Sequence, residues 1–316
     1  MTNIFAYSKS TLRQAAQTIQ NGGLVAFPTE TVYGLGANVY NANAVAGIFA
    51  AKGRPTFNPL ISHIAEIDTL YELAQTDSRV QELSKQFWPG PLTFVLNRKN
   101  TNPSLDLVCA GLKTITVRMP NHPIALELIK TSGVPIAAPS ANKSQSISPT
   151  TARHVFESLG SKIDMILDGG SCKVGLESTI IDLTTSKTVL LRAGGLAKEE
   201  IEKFLNEEVV ISHGNHELPS SPGQMLKHYA PQIPMRINVL PQDKHADEFY
   251  IGFGCMDGDI NLSKNGNLTE AAANLFAFMH LAESQTDYPA IAMAPIPEVG
   301  LGLAINDRIR RASYKK

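Results

Sequence analysis

Short apolar runs, closed off by glycine, proline or polar clusters, are interleaved with amphipathic helical stretches along most of this chain, and that pattern restricts it to a layered α/β fold. GLVAFP (23–28), LISHI (60–64), LTFVL (92–96), TITVRM (114–119) and VPIAAPS (134–140) read as buried strands, as do DMILDGG, STIIDLT and TVLLRAG farther on. One helix is predicted from Ser10 through TLRQAAQTIQ, with Leu12, Ala15, Ala16 and Ile19 on one face and Gly22 and Gly23 as its stop. Others are predicted across 43–51, within 66–87, across 123–131 and near 198–205. These elements follow no strict βαβ rhythm, so a twisted mixed sheet is expected rather than a purely parallel one.

The pattern changes over residues 206–232, where HGNHELPSSPG leads to HYAPQIP. Proline, serine, glycine and histidine without periodicity read as a linker, and composition by itself favours a passive tether. Beyond it a smaller α/β unit is expected. EFYIGFG (248–254) and AIAMAP (290–295) read as strands, LTEAAANLFAFMHLAES carries helical spacing, and GLGLAINDRIRRASY closes the chain as a helix. The expected organisation is thus a first domain over 1–205, a linker over 206–232 and a C-terminal α/β domain over 233–316. The last is small enough to need a neighbour to lean on.

The chain has 316 residues, 43% hydrophobic and 18% charged, so a substantial core can form. Its net charge of −1 argues against a protein built to coat nucleic acid. Residues 1–205 hold 19 Lys and Arg against 16 Asp and Glu, whereas 206–316 hold 9 against 13, so the front is the better place for an anion. Cys109, Cys172 and Cys255 lie far apart with no CxxC pair, which excludes a disulfide framework or a structural zinc motif. The N-terminus lacks the apolar segment of a signal peptide, and no apolar run approaches the roughly 20 residues that span a bilayer. No membrane association is expected, and the reduced cytoplasm is the expected location.

Several polar clusters fall at the ends of the predicted elements. PTETVYGLG (28–36) follows a strand and offers Thr31 among its hydroxyls, with Glu30 beside it. AKGRPTFNPLISH (51–63) brings Lys52, Arg54, Asn58 and His63. Cations at a helix end suit phosphate, although the helix dipole favours them there in any case. Arg118 closes a strand that begins at Thr114. APSANKSQSISPT (138–150) contributes Ser140, Asn142 and Ser148 with Lys143, GLESTIIDL contributes Ser178, and LLRAGG contributes Arg192. Lys52, Arg54, Arg118 and Arg192, all at element ends, would suit a triphosphate if they converged. The P-loop, the GxGxxG fingerprint, HExxH and the GxSxG elbow are all absent.

Taken in order, PTETVYGLG, KxRP with NPL and His63, WPGPLTFVL, VRMP, APSAN, GLESTI, LLRAG and SPG…HYAP resemble the YrdC-like threonylcarbamoyl-AMP synthase family in its long form. The motifs run in the family's order from about residue 10 to 231, and GLGLAINDRIRRA resembles the long form's closing helix. The resemblance implies a YrdC-like twisted sheet around a concave active site, with a smaller Rossmann-like C-terminal domain. It implies an enzyme that converts L-threonine, bicarbonate or CO2, and ATP with Mg2+ into threonylcarbamoyl-AMP and pyrophosphate. That product would feed the tRNA threonylcarbamoyl transferase machinery, with a tRNA contact of its own that is weak at most. By motif match, Thr31, His63, Arg118, Ala138 and Ser178 would hold threonine. Lys52, Arg54, Asn58, Thr114, Ser140, Ser148 and Arg192 would hold ATP, with Asn142 in the same loop.

No dedicated catalytic residue or protein metal ligand is implied; Lys52, Arg54 and Arg118 would act by positioning. The linker reading also changes. In the long form this segment reaches back over the site, which makes Ser221 and Tyr229 contacts of a lid. The chain departs from the family where QML stands in place of the commoner MKY, and where Ala193 replaces a common proline. The main alternative is a non-catalytic RNA-binding protein that cradles a phosphate backbone in the same concavity. The carbamoyl-adenylating domain of hydrogenase maturation proteins is disfavoured, because three scattered cysteines cannot supply their zinc fingers.

Overall fold

A computed structural model describes residues 3–99, 102–212, 221 and 228–314. The first half supplies β1 (Ile4–Ala6), α1 (Lys9–Gln20), β2 (Val25–Phe27), β3 (Gly34–Asn38), α2 (Ala42–Lys52), β4 (Ile61–His63), α3 (Ile67–Leu73), α4 (Ser78–Phe87), β5 (Leu92–Asn97), α5 (Pro103–Val108) and β6 (Thr114–Arg118). Next come α6 (Pro123–Ser132), β7 (Ile136–Ala137), α7 (Ala152–Leu159), β8 (Met165–Asp168), β9 (Thr179–Asp182), β10 (Val189–Arg192), α8 (Lys198–Leu205) and β11 (Val210–Ile211). The remainder contains β12 (Met235–Arg236), β13 (Glu248–Gly252), β14 (Ile260–Asn261), α9 (Leu268–Glu283), β15 (Ala290–Met293) and α10 (Leu301–Ala312).

Among the described residues the strands form two sheets. The larger has the order β1-β8-β2-β3-β7-β4-β6-β5-β9-β10-β11, and the smaller β12-β15-β13-β14. The larger sheet is mixed, as expected: β2 is antiparallel to β3 but parallel to β8, and β4 is parallel to β6 but antiparallel to β7. The smaller is parallel throughout, as befits a Rossmann-like unit.

Local sequence explains most of these elements. The first helix starts at Lys9 with Ser8 as its cap, two residues before the predicted Ser10. The Ser8 hydroxyl accepts from the Thr11 amide, and the Thr11 hydroxyl accepts in turn from the Ser8 amide, which closes a capping box. Its apolar face is the predicted one, with Leu12, Ala15, Ala16 and Ile19 buried. Full burial of each large aliphatic side chain contributes about 1.5–3 kcal/mol. The helical stretch within 66–87 divides into α3 and α4, because Ala74 turns extended and bridges to Arg98. A strand absent from the prediction, β3, occupies the end of PTETVYGLG, where two glycines mask strand character. Val210 and Ile211, inside the predicted linker, pair with β10 at the sheet edge. The Gln224–Leu226 departure lies outside the described residues.

The smaller sheet shares a core with the larger unit. Val32, Ile147, Leu176 and Tyr229 pack in one cluster with Leu275, Phe276, Met279 and Ile305. Among the described residues, no helix is long and apolar enough to cross a membrane. All three cysteines are free thiols, with Cys109 and Cys172 buried and Cys255 exposed.

Candidate active site

Five chain segments reach the site from the larger sheet. His63 ends β4, Arg118 ends β6 and Arg192 ends β10 on one side, while Thr29–Thr31 follow β2 and Ala138–Ser140 follow β7, two strands that run the other way. Ser178 precedes β9, which runs parallel to β5 and antiparallel to the direction of β6, and therefore starts where β6 ends. Register makes His63 and Arg118 direct neighbours. Between these segments lies a cavity, with about 530 Å³ of empty space once its open mouth is counted.

All five predicted threonine positions, Thr31, His63, Arg118, Ala138 and Ser178, line that cavity. Of the predicted ATP positions, Arg54, Ser140, Arg192 and Tyr229 also line it, whereas Lys52, Asn58, Thr114, Asn142, Ser148 and Ser221 do not. Thr114 stands at the far end of β6 from Arg118. Ser148 donates its hydroxyl hydrogen to Glu177 Oε1 at 2.5 Å. Ser221 is fully buried.

Lys52 ends α2, just before Gly53, whose φ of +60° lets the chain leave the helix through the left-handed region. Its ammonium reaches the Ser140 carbonyl at 2.6 Å and the carbonyl and Oδ1 of Asn142, so it ties the helix end to the 140–142 loop. Arg54 is fixed by the carbonyls of Asn58 and Pro59 through Nε and Nη2, at 3.3 and 2.9 Å. Arg192 donates from Nε and Nη2 to the Ser178 carbonyl at 3.0 and 2.9 Å and to the Ser178 hydroxyl at 3.1 Å. The Ser178 hydroxyl also meets Thr93 Oγ1 at 2.7 Å.

Among the described residues, Arg118 meets three partners, Thr31, Gly90 and Glu30. It donates from Nη1 to Thr31 Oγ1 at 2.9 Å and from Nε to the Gly90 carbonyl at 3.2 Å. Its Nη2 lies 2.6 Å from Glu30 Oε1, with both side chains under a tenth exposed. That contact is an ion pair whose angle falls outside hydrogen-bond geometry. The Thr31 hydroxyl that receives Arg118 also meets Thr29 Oγ1 at 2.7 Å.

Cations outnumber carboxylates in and around the cavity. Lys52, Arg54, Arg118, Arg192 and Arg308 are buried there, against Glu30 and Glu177. Burial, with Arg54 adding to it, pushes the Lys52 ammonium well below its ordinary value. Burial also brings Arg54 down to about 10, assisted by repulsion from Arg192, and brings Arg192 down to about 10. His63 falls to about 3 through burial and then Arg118, so it sits neutral. His228 is held well below its ordinary value by burial and by the surrounding Arg54, Lys52, Arg308 and Arg192. A site in which like charges depress one another gains most from an entering anion. Among the described residues, no three His, Cys, Asp or Glu side chains cluster as a metal cage.

Two sequence families match the chain. Residues 17–194 match the Sua5–YciO–YrdC family, described as telomere recombination, and residues 196–313 match the threonylcarbamoyl-AMP synthase C-terminal domain. The chain belongs to the Sua5–YciO–YrdC family.

It is 44% identical over 322 residues to a threonylcarbamoyl-AMP synthase of Pyrococcus abyssi, an alignment that covers 96% of this chain and 94% of that one. A threonylcarbamoyl-AMP synthase of Bacillus subtilis is 41% identical, with 96% and 92% covered. Among solved structures, P. abyssi Sua5 complexed with L-threonine superposes with a TM-score of 0.89 at 42% identity, covering 98% of this chain and 97% of that one. E. coli YciO, at 24% identity and a TM-score of 0.55 over 61% of this chain and 96% of its own, shares the fold.

In this Sua5–YciO–YrdC member the cavity wall also includes residues absent from the predicted set, notably Thr29, Pro139, Glu177 and His228. Each lies within two positions of a predicted residue, so the motifs themselves were the available signal. Gly194 shows how tightly the wall is built. A Cβ there would lie 2.4 Å from the Glu177 carbonyl oxygen, the Ser178 carbonyl carbon and the Thr179 nitrogen, all backbone atoms. Gly194→Ala should therefore push the Glu177–Thr179 turn away from β10, at a cost of about 1–3 kcal/mol for overpacking. Misplacement of Ser178 should lower turnover by about tenfold or more, as small displacements of positioning groups do. Thermal denaturation and steady-state kinetics of the variant check both numbers.

Proposed function

We propose that this chain is an L-threonylcarbamoyladenylate synthase, which joins L-threonine, bicarbonate or CO2, and ATP into threonylcarbamoyl-AMP with release of pyrophosphate. The observation that carries this reading is the meeting of Thr31, His63, Arg118, Ala138 and Ser178 with Arg54, Ser140 and Arg192 on the wall of one cation-rich cavity. The names of relatives that align over nearly the full chain support it. They do not favour the RNA-binding alternative.

In the proposed mechanism the threonine amine attacks CO2, forms a C–N bond and loses a proton, leaving an N-carboxylate. A carboxylate oxygen then attacks the α-phosphorus of ATP, and the bond to the β-phosphate oxygen breaks as pyrophosphate departs. This chemistry needs no protein nucleophile; positioning and charge neutralisation supply the acceleration. Arg118, with Thr31 beside it, would receive the threonine carboxylate in a bidentate grip. His63, held neutral, would present a polar but uncharged edge to the amino acid. Arg54 and Arg192, with Asn58, Thr114, Ser140, Asn142 and Ser148 around them, would take the nucleotide. Lys52 would act mainly by holding the 140–142 loop.

Mg2+ would enter with ATP, its ligands coming largely from phosphate oxygens, since the described residues offer no carboxylate or histidine cluster. Ser221 and Tyr229 would belong to a lid that shields the reactive adenylate from water. We place the domains at 1–205 and 233–316, joined by 206–232, and the enzyme in the cytoplasm. Its product would pass to a tRNA threonylcarbamoyl transferase system.

The deciding experiment incubates the protein with ATP, Mg2+ and bicarbonate plus threonine, serine or glycine, and follows pyrophosphate. Release that depends on threonine and exceeds that with serine or glycine is expected. Amino-acid-independent hydrolysis, or salt-sensitive tRNA binding without turnover, would overturn the reading in favour of the alternative.

A further inference from the structure

The unit built on the smaller sheet sends a side chain from its last helix to the back of the cavity. Arg308 lies on α10 and is fully buried. Its Nε donates to Glu177 Oε2 at 2.9 Å and its Nη1 to Asp307 Oδ2 at 2.8 Å. Glu177 lines the cavity, and its other oxygen accepts from Ser148. The same guanidinium lies over Tyr229, with Cζ 5.2 Å from the ring centroid, and that ring also stacks with Phe276, centroids 5.4 Å apart. Arg308 Nη2 has no hydrogen-bond partner among the described residues, which leaves it to the ring face.

This arrangement answers an electrostatic difficulty. Glu177 is a buried carboxylate on the wall of a site proposed to admit a triphosphate. Burial pushes its proton affinity up, but Arg308 and then Arg192 outweigh burial and hold it below the ordinary carboxylate range. An ionised wall carboxylate would repel the nucleotide unless a fixed counter-charge stood behind it. We infer that Arg308 is a positioning residue for the nucleotide: it neutralises Glu177 from behind, keeps it turned toward Ser148, and seats Tyr229, so that the second sheet completes the site of the first. The inference rests on the ATP reading of the cavity.

Steady-state kinetics with ATP and threonine varied separately test it, alongside thermal denaturation of each variant. Wild-type turnover comes first; a wild type without threonine-dependent ATP turnover refutes the reading of the cavity itself, before any variant is made. With turnover present, Arg308→Met should raise KM for ATP by about tenfold or more, while KM for threonine stays within about twofold, because the exposed charge faces the nucleotide. The double variant Glu177→Gln with Arg308→Met should restore KM for ATP to within about threefold of wild type, since the uncompensated charge is gone. Loss of packing alone would leave the double variant as impaired as the single one, and a folded double variant without rescue overturns the inference. Should Arg308→Met not fold, Arg308→Lys decides, since it keeps the charge behind Glu177: KM for ATP within about threefold of wild type is expected, and a tenfold rise in the folded variant would overturn the proposal.

Discussion

Replacing Arg54 by alanine is expected to lower threonine-dependent pyrophosphate release by about a hundredfold or more, the scale seen when one preorganised charge donor is removed from a reacting oxyanion. Arg54 sits on the cavity wall and is anchored by two backbone carbonyls rather than by a mobile partner, so its charge is already in place when a ligand arrives. No neighbour can substitute. Lys52 is held by the oxygens of Ser140 and Asn142, and moving it would release the loop that carries them. The fold should tolerate the change, because the anchoring contacts lie within a short turn. Arg54→Lys should recover part of the loss as a point charge without the planar fork. Single-turnover measurements of pyrophosphate formation separate binding from chemistry, and near-normal turnover in the alanine variant would remove Arg54 from the nucleotide site.

The second large effect falls on stability. Arg118→Ala leaves the Glu30 carboxylate buried without the guanidinium 2.6 Å away, and breaking a buried pair from one side costs about 3–5 kcal/mol. Activity should vanish with it if Arg118 grips the threonine carboxylate. Removing both partners, as Arg118→Met with Glu30→Gln, should recover most of the stability and none of the activity. Chemical denaturation and the pyrophosphate assay on the two variants separate the two roles. Equal destabilisation of the single and double variants would show that Arg118 acts by packing alone.

The contrast between these residues and Arg308 shows what a linear reading can reach. Strand-end polar motifs announced Thr31, Arg118, Ser178 and Arg192, because each stands near one end of an apolar run, where a side chain can face a cleft. Strand β3 stayed hidden because its glycines carry no β-propensity, and only pairing with β2 and β7 makes it a strand. Glu177 stands beside Ser178 in the sequence, yet nothing local says that its side chain is buried or against what. Arg308 is harder still. It lies 131 positions from Glu177, on a helix whose Arg310 and Arg311 look alike in sequence. Of the three, only Arg308 is fully buried, and that follows from how α10 docks rather than from its composition. Lys52 illustrates the converse, since a cation that reads as a phosphate ligand spends its hydrogen bonds on a loop.

The core that Val32, Ile147 and Leu176 share with Leu275, Phe276 and Ile305 has a practical side for anyone preparing this protein in pieces. A fragment cut after residue 205 would turn those aliphatic side chains toward solvent beside the mouth of a cationic cavity. Such a surface is sticky toward other copies and toward nucleic acid alike. Poor solubility of the fragment, or its retention on a polyanion resin, would then reflect an exposed seam and would say nothing about what the intact enzyme recognises.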